Sequence, residues 1–267
     1  MNPARIRSVE AIAVAVPLHH VMRMAGVRIS HAENLIVRIE TDNGMIGWGE
    51  AASAPTMTGD LQASMVGAVK QVFAPLLVGQ NPLQRAPLMK AIEHAVHRNT
   101  GAKCAVECAL YDLCGKLLGV PVFELLGGAR RDELRPMHLL GNEHVDDDVH
   151  EAQGKLAQGI RFFKIKIGVK PVEQEIRSTR LLREALGPDV TLCADGNMGL
   201  GAEQIQTYCE GVKDQGLLFL EQPLRSDNLL GMARLARSLS IPLCGDESVG
   251  SAADVMALSA AGAVAGV

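Results

Sequence analysis

The chain has 267 residues, 48% of them hydrophobic and 21% charged, and a net charge of −4. That balance belongs to a folded globular protein and excludes a disordered chain, and the slight acidity gives nucleic acid or an anionic membrane no electrostatic hold. No apolar run is long enough to span a bilayer, the opening "MNPARIRSVEAIAV" lacks the apolar stretch of a secretory leader, and the six cysteines contain no CxxC pair, so a cytoplasmic protein with reduced thiols is expected.

The first apolar run is "RSVEAIAVAVPL". After a polar stretch at residues 19–33, read as irregular, comes "NLIVRIETDNGMIGWGEAA". This second segment reads as two alternating strands around Asp42-Asn43-Gly44, a strong hairpin signal. Helical periodicity then covers residues 61–77, 83–97 and 102–118. Residues 1–130 are therefore expected to form an α+β domain, an antiparallel sheet plus helices. Eleven methionines against few aromatics suit adaptable core packing, although Met22 and Met24 are also candidates to line a substrate pocket. The glycine- and charge-rich "LLGGARRDELRP" reads as the hinge that ends the domain.

From residue 131 to 267 the pattern changes to apolar strands alternating with amphipathic helices: "PMHLLG", "RFFKIKIG", "VTLCADGN", "LLFLEQP" and "IPLCGDES". Repeated strand–helix units argue for an α/β fold with a parallel sheet. Lys166, Asp195, Glu221 and Asp246 follow one another at intervals of 29, 26 and 25 residues. An eight-unit barrel of roughly 250 residues allots about 31 to each unit, so each interval is one βα step. Each step places an ionisable residue at the C-terminal end of its strand, where such barrels carry their active sites. Alternation places Lys164, Cys193, Phe219 and Cys244 on the same face one layer down, where Lys164 is the odd charge in an otherwise apolar or soft set. "GNMGLG" lacks the spacing of a phosphate-binding glycine loop and reads as a βα loop.

Three carboxylates held together must share protons, bind a cation or pair with the nearby lysines. All-oxygen ligation favours a hard divalent ion such as Mg²⁺, with Mn²⁺ an acceptable substitute. A lysine beside a metal and a second ammonium can serve as a proton acceptor, and a metal with an ammonium can stabilise the enediolate formed when a proton leaves the carbon α to a carboxylate.

K-x-K, Asp, Glu and Asp in this order, with "FKIKIG", "ADGN", "FLEQP" and "GDES", resemble the enolase superfamily, in particular its mandelate racemase/muconate lactonizing enzyme family and within it the muconate lactonizing branch. "GAKCAVECALYDLCGKLLGVPVFELLGG" is similar to the end of that family's capping domain. The resemblance implies a capping domain over a TIM-type (β/α)-barrel. It implies Asp195, Glu221 and Asp246 as Mg²⁺ ligands, Lys166 as the acid/base at the α-carbon and Lys164 as the group that holds the carboxylate. Asn197 and Glu247 would orient the ligands, and loops near residues 19–32 and 51–59 would meet the substrate. The implied activity is that of a muconate-type cycloisomerase; the alternative is a racemase or epimerase of N-acyl amino acids, dipeptides or hydroxy acids. A small-molecule carboxylate is the expected partner, in a homo-oligomer, with neither nucleic acid nor membrane.

Five strands can be counted before the chain stops at "AAGAVAGV", so the barrel reads as truncated. A reading of another class follows from this: a non-catalytic partial barrel that binds metal or a partner chain.

Overall fold

The computed structural model describes residues 4–24 and 27–267, apart from the side chains of residues 20 and 22–24. Two units emerge, one comprising Met1–Met22 and Ile29–Asp132, the other Arg23–Arg28 and Glu133–Val267. β1 (Ile6–Met24), β2 (Val27–Thr41) and β3 (Ile46–Ala52), which apart from residues 23, 24, 27 and 28 belong to the first unit, form a sheet in that order. β2 and β3 are antiparallel, and their turn closes on Gly44, whose φ of +80° suits a residue without Cβ. Thr41 Oγ1 accepts a hydrogen bond from the Met45 amide at 3.1 Å, which ties the two sides of the turn together.

The polar stretch at residues 19–33, expected to be irregular, is instead largely strand: β1 runs to Met24 and β2 begins at Val27. A strand's ladder is made by backbone groups, so polar side chains do not forbid one. Met22 and Met24, expected on a substrate loop, have side chains outside the described residues.

The helices of this unit are α1 (Gln62–Ala68), a π-helical turn at Val69–Phe73, α2 (Ala74–Leu77), α3 (Arg85–Ala95), α4 (Thr100–Leu118) and the short α5 (Val122–Leu125). Leu35, Val37 and Ile39, alternate residues of β2, are fully buried in one core with Ala105, Val106, Ala109 and Leu110 of α4. Two glycines of β3 let the helix come this close. A Cβ at Gly49 would lie 1.9 Å from the carbonyl oxygen of Ala105, and one at Gly47 would lie 2.3 Å from that of Ala109.

The second unit alternates strand and helix: β4 (Met137–Leu140), α6 (Val145–Ala157), β5 (Phe162–Lys166), α7 (Val172–Leu186), β6 (Thr191–Asp195), α8 (Ala202–Val212), β7 (Leu217–Glu221), α9 (Leu229–Ser238), β8 (Leu243–Cys244) and α10 (Ala252–Ala260). All five strands are parallel, in the order β4-β5-β6-β7-β8. One face of the sheet (Phe163, Ile165, Leu192, Ala194, Leu220 and Leu243) is buried with Leu182, Ile205, Tyr208 and Met232 from the helices. Beyond α10 the backbone returns to β8, where Cys244 and Gly266 form a parallel bridge. Among the described residues, no helix is long and apolar enough to cross a membrane.

Candidate active site

Strand register brings the charged residues together. Lys166 of β5 pairs with Asp195 of β6, Asp195 with Glu221 of β7, and Glu221 with Cys244 of β8. These four Cα positions form one row across the C-terminal ends of the strands. Lys164 lies a layer below, opposite Cys193. Asp246, expected at the end of its strand, is two residues beyond it, because β8 is only two residues long and ends at Cys244. Its side chain therefore belongs to the loop after β8.

A continuous chain of polar contacts runs through the site. Lys164 Nζ donates to Glu221 Oε1 at 2.6 Å and lies 3.5 Å from Asp195 Oδ2. Lys166 Nζ donates to the same Asp195 oxygen at 2.6 Å and to Asn197 Oδ1. Asn197 completes the chain: its amide donates to Asp195 Oδ1 at 3.0 Å, and its Nδ2 donates to Glu247 Oε1 at 3.0 Å. The stem of Lys166 packs over Gly141, where a Cβ would lie 3.3 Å from the lysine Cβ and Cγ. Asp195 is 1% exposed, and the side chains of Lys164, Lys166 and Glu221 are nearly as enclosed. The pairing of acids with lysines, one of the three arrangements open to these carboxylates, is thus what the side chains adopt.

Burial raises the Glu221 carboxyl above its ordinary range; Asp195 and Asp246 push it further the same way, and Lys164 opposes them. Burial also raises Glu247, against its bond from Asn197 and with added repulsion from Asp246 and Asp195. For Lys164, burial favours the neutral amine, but the bond to Glu221 and the charges of Asp195 and Glu221 outweigh it, so its ammonium is held above the ordinary value. Carboxylate charge decides the direction for this side chain. Cys193, beneath the row, is pushed up to about 12 by burial and is an inert thiol.

The donor set fits a hard divalent cation in its chemistry. Asp195, Glu221, Asp246 and Glu247 carry four formal negative charges against the two ammoniums, and the buried Glu247 Oε2 has no hydrogen-bond partner. A divalent ion would cancel that excess and find only oxygen ligands. Among the described residues no three His, Cys, Asp or Glu side chains are already gathered as a metal site, so Asp195, Glu221 and Asp246 would have to draw together around the ion. Lysines hold one oxygen of Glu221 and one of Asp195, and Asp246, in the loop after β8, is near enough for its charge to act on Glu221 and Glu247.

One residue of this region escaped the sequence reading. Gln222, next to Glu221, is fully buried at φ +30° and accepts hydrogen bonds from the Asp246 amide, the Ser248 amide and the Ser248 hydroxyl. Its place inside "FLEQP" was the one available signal, and a glutamine between Glu and Pro does not announce its partners.

A capping-type α+β unit, a parallel βα sheet and a row of lysines and carboxylates at its strand ends define a class of barrel enzymes. Residues 6–127 match the family described as "Mandelate racemase / muconate lactonizing enzyme, N-terminal domain", and residues 147–267 match "Enolase C-terminal domain-like". The L-Ala-D/L-Glu epimerase of Bacillus subtilis is 32% identical, over 92% of this chain and 67% of that one. Muconate cycloisomerase 1 of Acinetobacter baylyi is 31% identical, over 90% of this chain and 66% of that one. The crystal structure of muconate lactonizing enzyme from Pseudomonas fluorescens complexed with muconolactone superposes with a TM-score of 0.94 at 30% identity, covering 98% of this chain and 72% of that one. The chain belongs to the mandelate racemase/muconate lactonizing enzyme family of the enolase superfamily, whose matched members are isomerases. It spans about two thirds of the length of these curated relatives.

Proposed function

We propose that this protein is a Mg²⁺-dependent isomerase that moves a proton at the carbon α to a carboxylate, most like a muconate-type cycloisomerase. The observation that carries the reading is the unbroken polar chain from Glu221 through Lys164, Asp195, Lys166 and Asn197 to Glu247. Asp195, Glu221 and Asp246 would hold the ion, which when bound supplies positive charge for the substrate carboxylate and the negative charge that builds beside it. Lys166 carries the proton to or from the α-carbon. Its contacts with Asp195 and Asn197 fix where Nζ sits, and Gly141 leaves room for its stem. Lys164, anchored between Asp195 and Glu221, presents a second ammonium that binds the carboxylate. Burial around both lysines strengthens these charge interactions by keeping water away.

Epimerisation or racemisation is the second reading, supported by the 32% identical L-Ala-D/L-Glu epimerase and by the N-succinyl-L-Arg/Lys racemase of Bacillus cereus, 27% identical over 94% of this chain. Small carboxylates, Mg²⁺, a homo-oligomeric assembly and a cytoplasmic setting go with either reading. The test incubates the intact protein and Mg²⁺ with a muconate-type diacid and with a panel of dipeptides and N-succinyl amino acids. Absorbance loss from the diacid identifies a cycloisomerase, and conversion of one stereoisomer to another identifies an epimerase or racemase. Absence of both across the panel would defeat the proposal.

A further inference from the structure

The loops that follow β6, β7 and β8 carry or adjoin Asp195, Glu221 and Asp246, and a single residue joins all three. Gln222 follows Glu221 directly. Its backbone amide donates to Cys244 O at 2.9 Å, and its carbonyl accepts from the Met198 amide at 2.8 Å. Its side chain reaches the third loop. Oε1 accepts from the Asp246 amide at 3.0 Å, the Ser248 amide at 3.1 Å and the Ser248 hydroxyl at 2.7 Å. Nε2 donates to Leu224 O at 2.9 Å, which fixes the amide plane and sets Oε1 as the acceptor.

Three features set this residue apart from a satisfied core glutamine. It is fully buried, so none of its bonds can be replaced by water. It holds φ at +30°; Met198, whose amide bonds its carbonyl, is at +63°, and the preceding Asn197, which bonds Asp195, Lys166 and Glu247, is at +38°. These are three of the five non-glycine residues with positive φ among the described residues, gathered at one place. Such conformations persist where the surroundings over-determine them, and they concentrate at functional sites. Finally, the loop it grips carries Asp246 and Glu247, the two acids that the strand row does not position.

We propose that Gln222 is a positioning residue: a buried clamp that holds the loop after β8 so that Asp246 is available to a divalent cation. This rests on the metal reading of the site given above. The geometry needs such a device, because β8 ends at Cys244 and leaves Asp246 outside the sheet's own hydrogen bonding. The clamp supplies by side chain what a longer strand would supply by backbone.

The test uses the intact protein and two substitutions. Gln222→Met keeps shape and removes every polar bond of the side chain; Gln222→Glu keeps an acceptor for the loop. Amide hydrogen exchange at Asp246 and Ser248 and Mn²⁺ binding by calorimetry are measured for each, with thermal unfolding to confirm a folded state. The expected result for Gln222→Met is at least tenfold faster exchange at both amides and at least tenfold weaker Mn²⁺ binding. Gln222→Glu should recover most of the exchange protection. If Gln222→Met does not fold, Ser248→Ala, which removes one of the three donors, should still accelerate exchange at Asp246. Unchanged exchange in folded Gln222→Met, or in Ser248→Ala where it is the readable variant, would overturn the clamp. Faster exchange with unaltered Mn²⁺ affinity would overturn its link to the cation. A wild-type protein that binds no Mn²⁺ would defeat the metal reading and this link together, and the exchange data would separate that failure from loss of the clamp itself.

Discussion

Removing Lys164 leaves Glu221 without its ammonium in a closed site. In Lys164→Met the contact of 2.6 Å to Glu221 and the approach of 3.5 Å to Asp195 disappear, while the carboxylates stay buried. Removing one member of such a buried pair costs about 3–5 kcal/mol, because the remaining charge is stranded. At about 2–4 °C per kcal/mol for domains of this size, the variant should melt roughly 6–20 °C lower in metal-free buffer near pH 7. The loss should depend on pH in one direction. Burial already holds the Glu221 carboxyl above its ordinary range, with Asp195 and Asp246 adding to the effect and Lys164 opposing it. Without Lys164 the rise is larger, so the folded variant binds a proton more tightly than the unfolded chain does. Its stability then falls as pH rises through the window between the ordinary carboxylate value and the raised one, and the deficit shrinks on acidification. Adding Glu221→Gln should remove most of that pH dependence. Denaturant unfolding with a chelator present, at several pH values, measures this directly. A deficit below about 1 kcal/mol that does not change with pH is what an exposed pair would show, and it would refute the enclosed network.

Further outcomes follow from the same structure. Gly49→Ala places a methyl group against the Ala105 carbonyl and should destabilise the first unit by more than about 1–3 kcal/mol, because backbone rather than a movable side chain is in the way; a thermal melt of the variant checks it. Thr179→Val breaks the buried 2.8 Å bond to the Tyr208 hydroxyl and should cost about 1–3 kcal/mol by denaturant unfolding, with Tyr208→Phe in the same background recovering part of it. Cys104 and Cys108 are exposed, whereas Cys114, Cys193 and Cys209 are buried, so a thiol reagent should label the first pair quickly and the other three only on unfolding, as read by mass spectrometry.

The parallel sheet was legible because each of its strands carries an apolar run of the right length, and the hairpin because Asp42-Asn43-Gly44 is turn chemistry between alternating residues. The extension of β1 and β2 into residues 19–33 was hidden, since backbone pairing leaves no mark in polar side chains. Even spacing brought Lys166, Asp195 and Glu221 into one row, but the same spacing misplaced Asp246, because it does not report how short β8 is. That the lysines would claim the carboxylate oxygens depends on distances of a few ångströms between strands. The role of Gln222 depends on partners 24 and 26 residues away. Both are properties of the folded arrangement, and a single sequence carries no trace of them.

The most direct test of the account is solvent deuterium incorporation at the α-carbon, followed by NMR, for muconolactone and the dipeptide panel. It compares the wild-type protein with Mg²⁺, the wild-type protein with a chelator, and Lys166→Ala with Mg²⁺. The account predicts deuterium at the α-carbon of at least one substrate in the first case only, with Mn²⁺ binding retained in Lys166→Ala. No incorporation by the wild-type protein, or incorporation by Lys166→Ala at the wild-type rate, would contradict it.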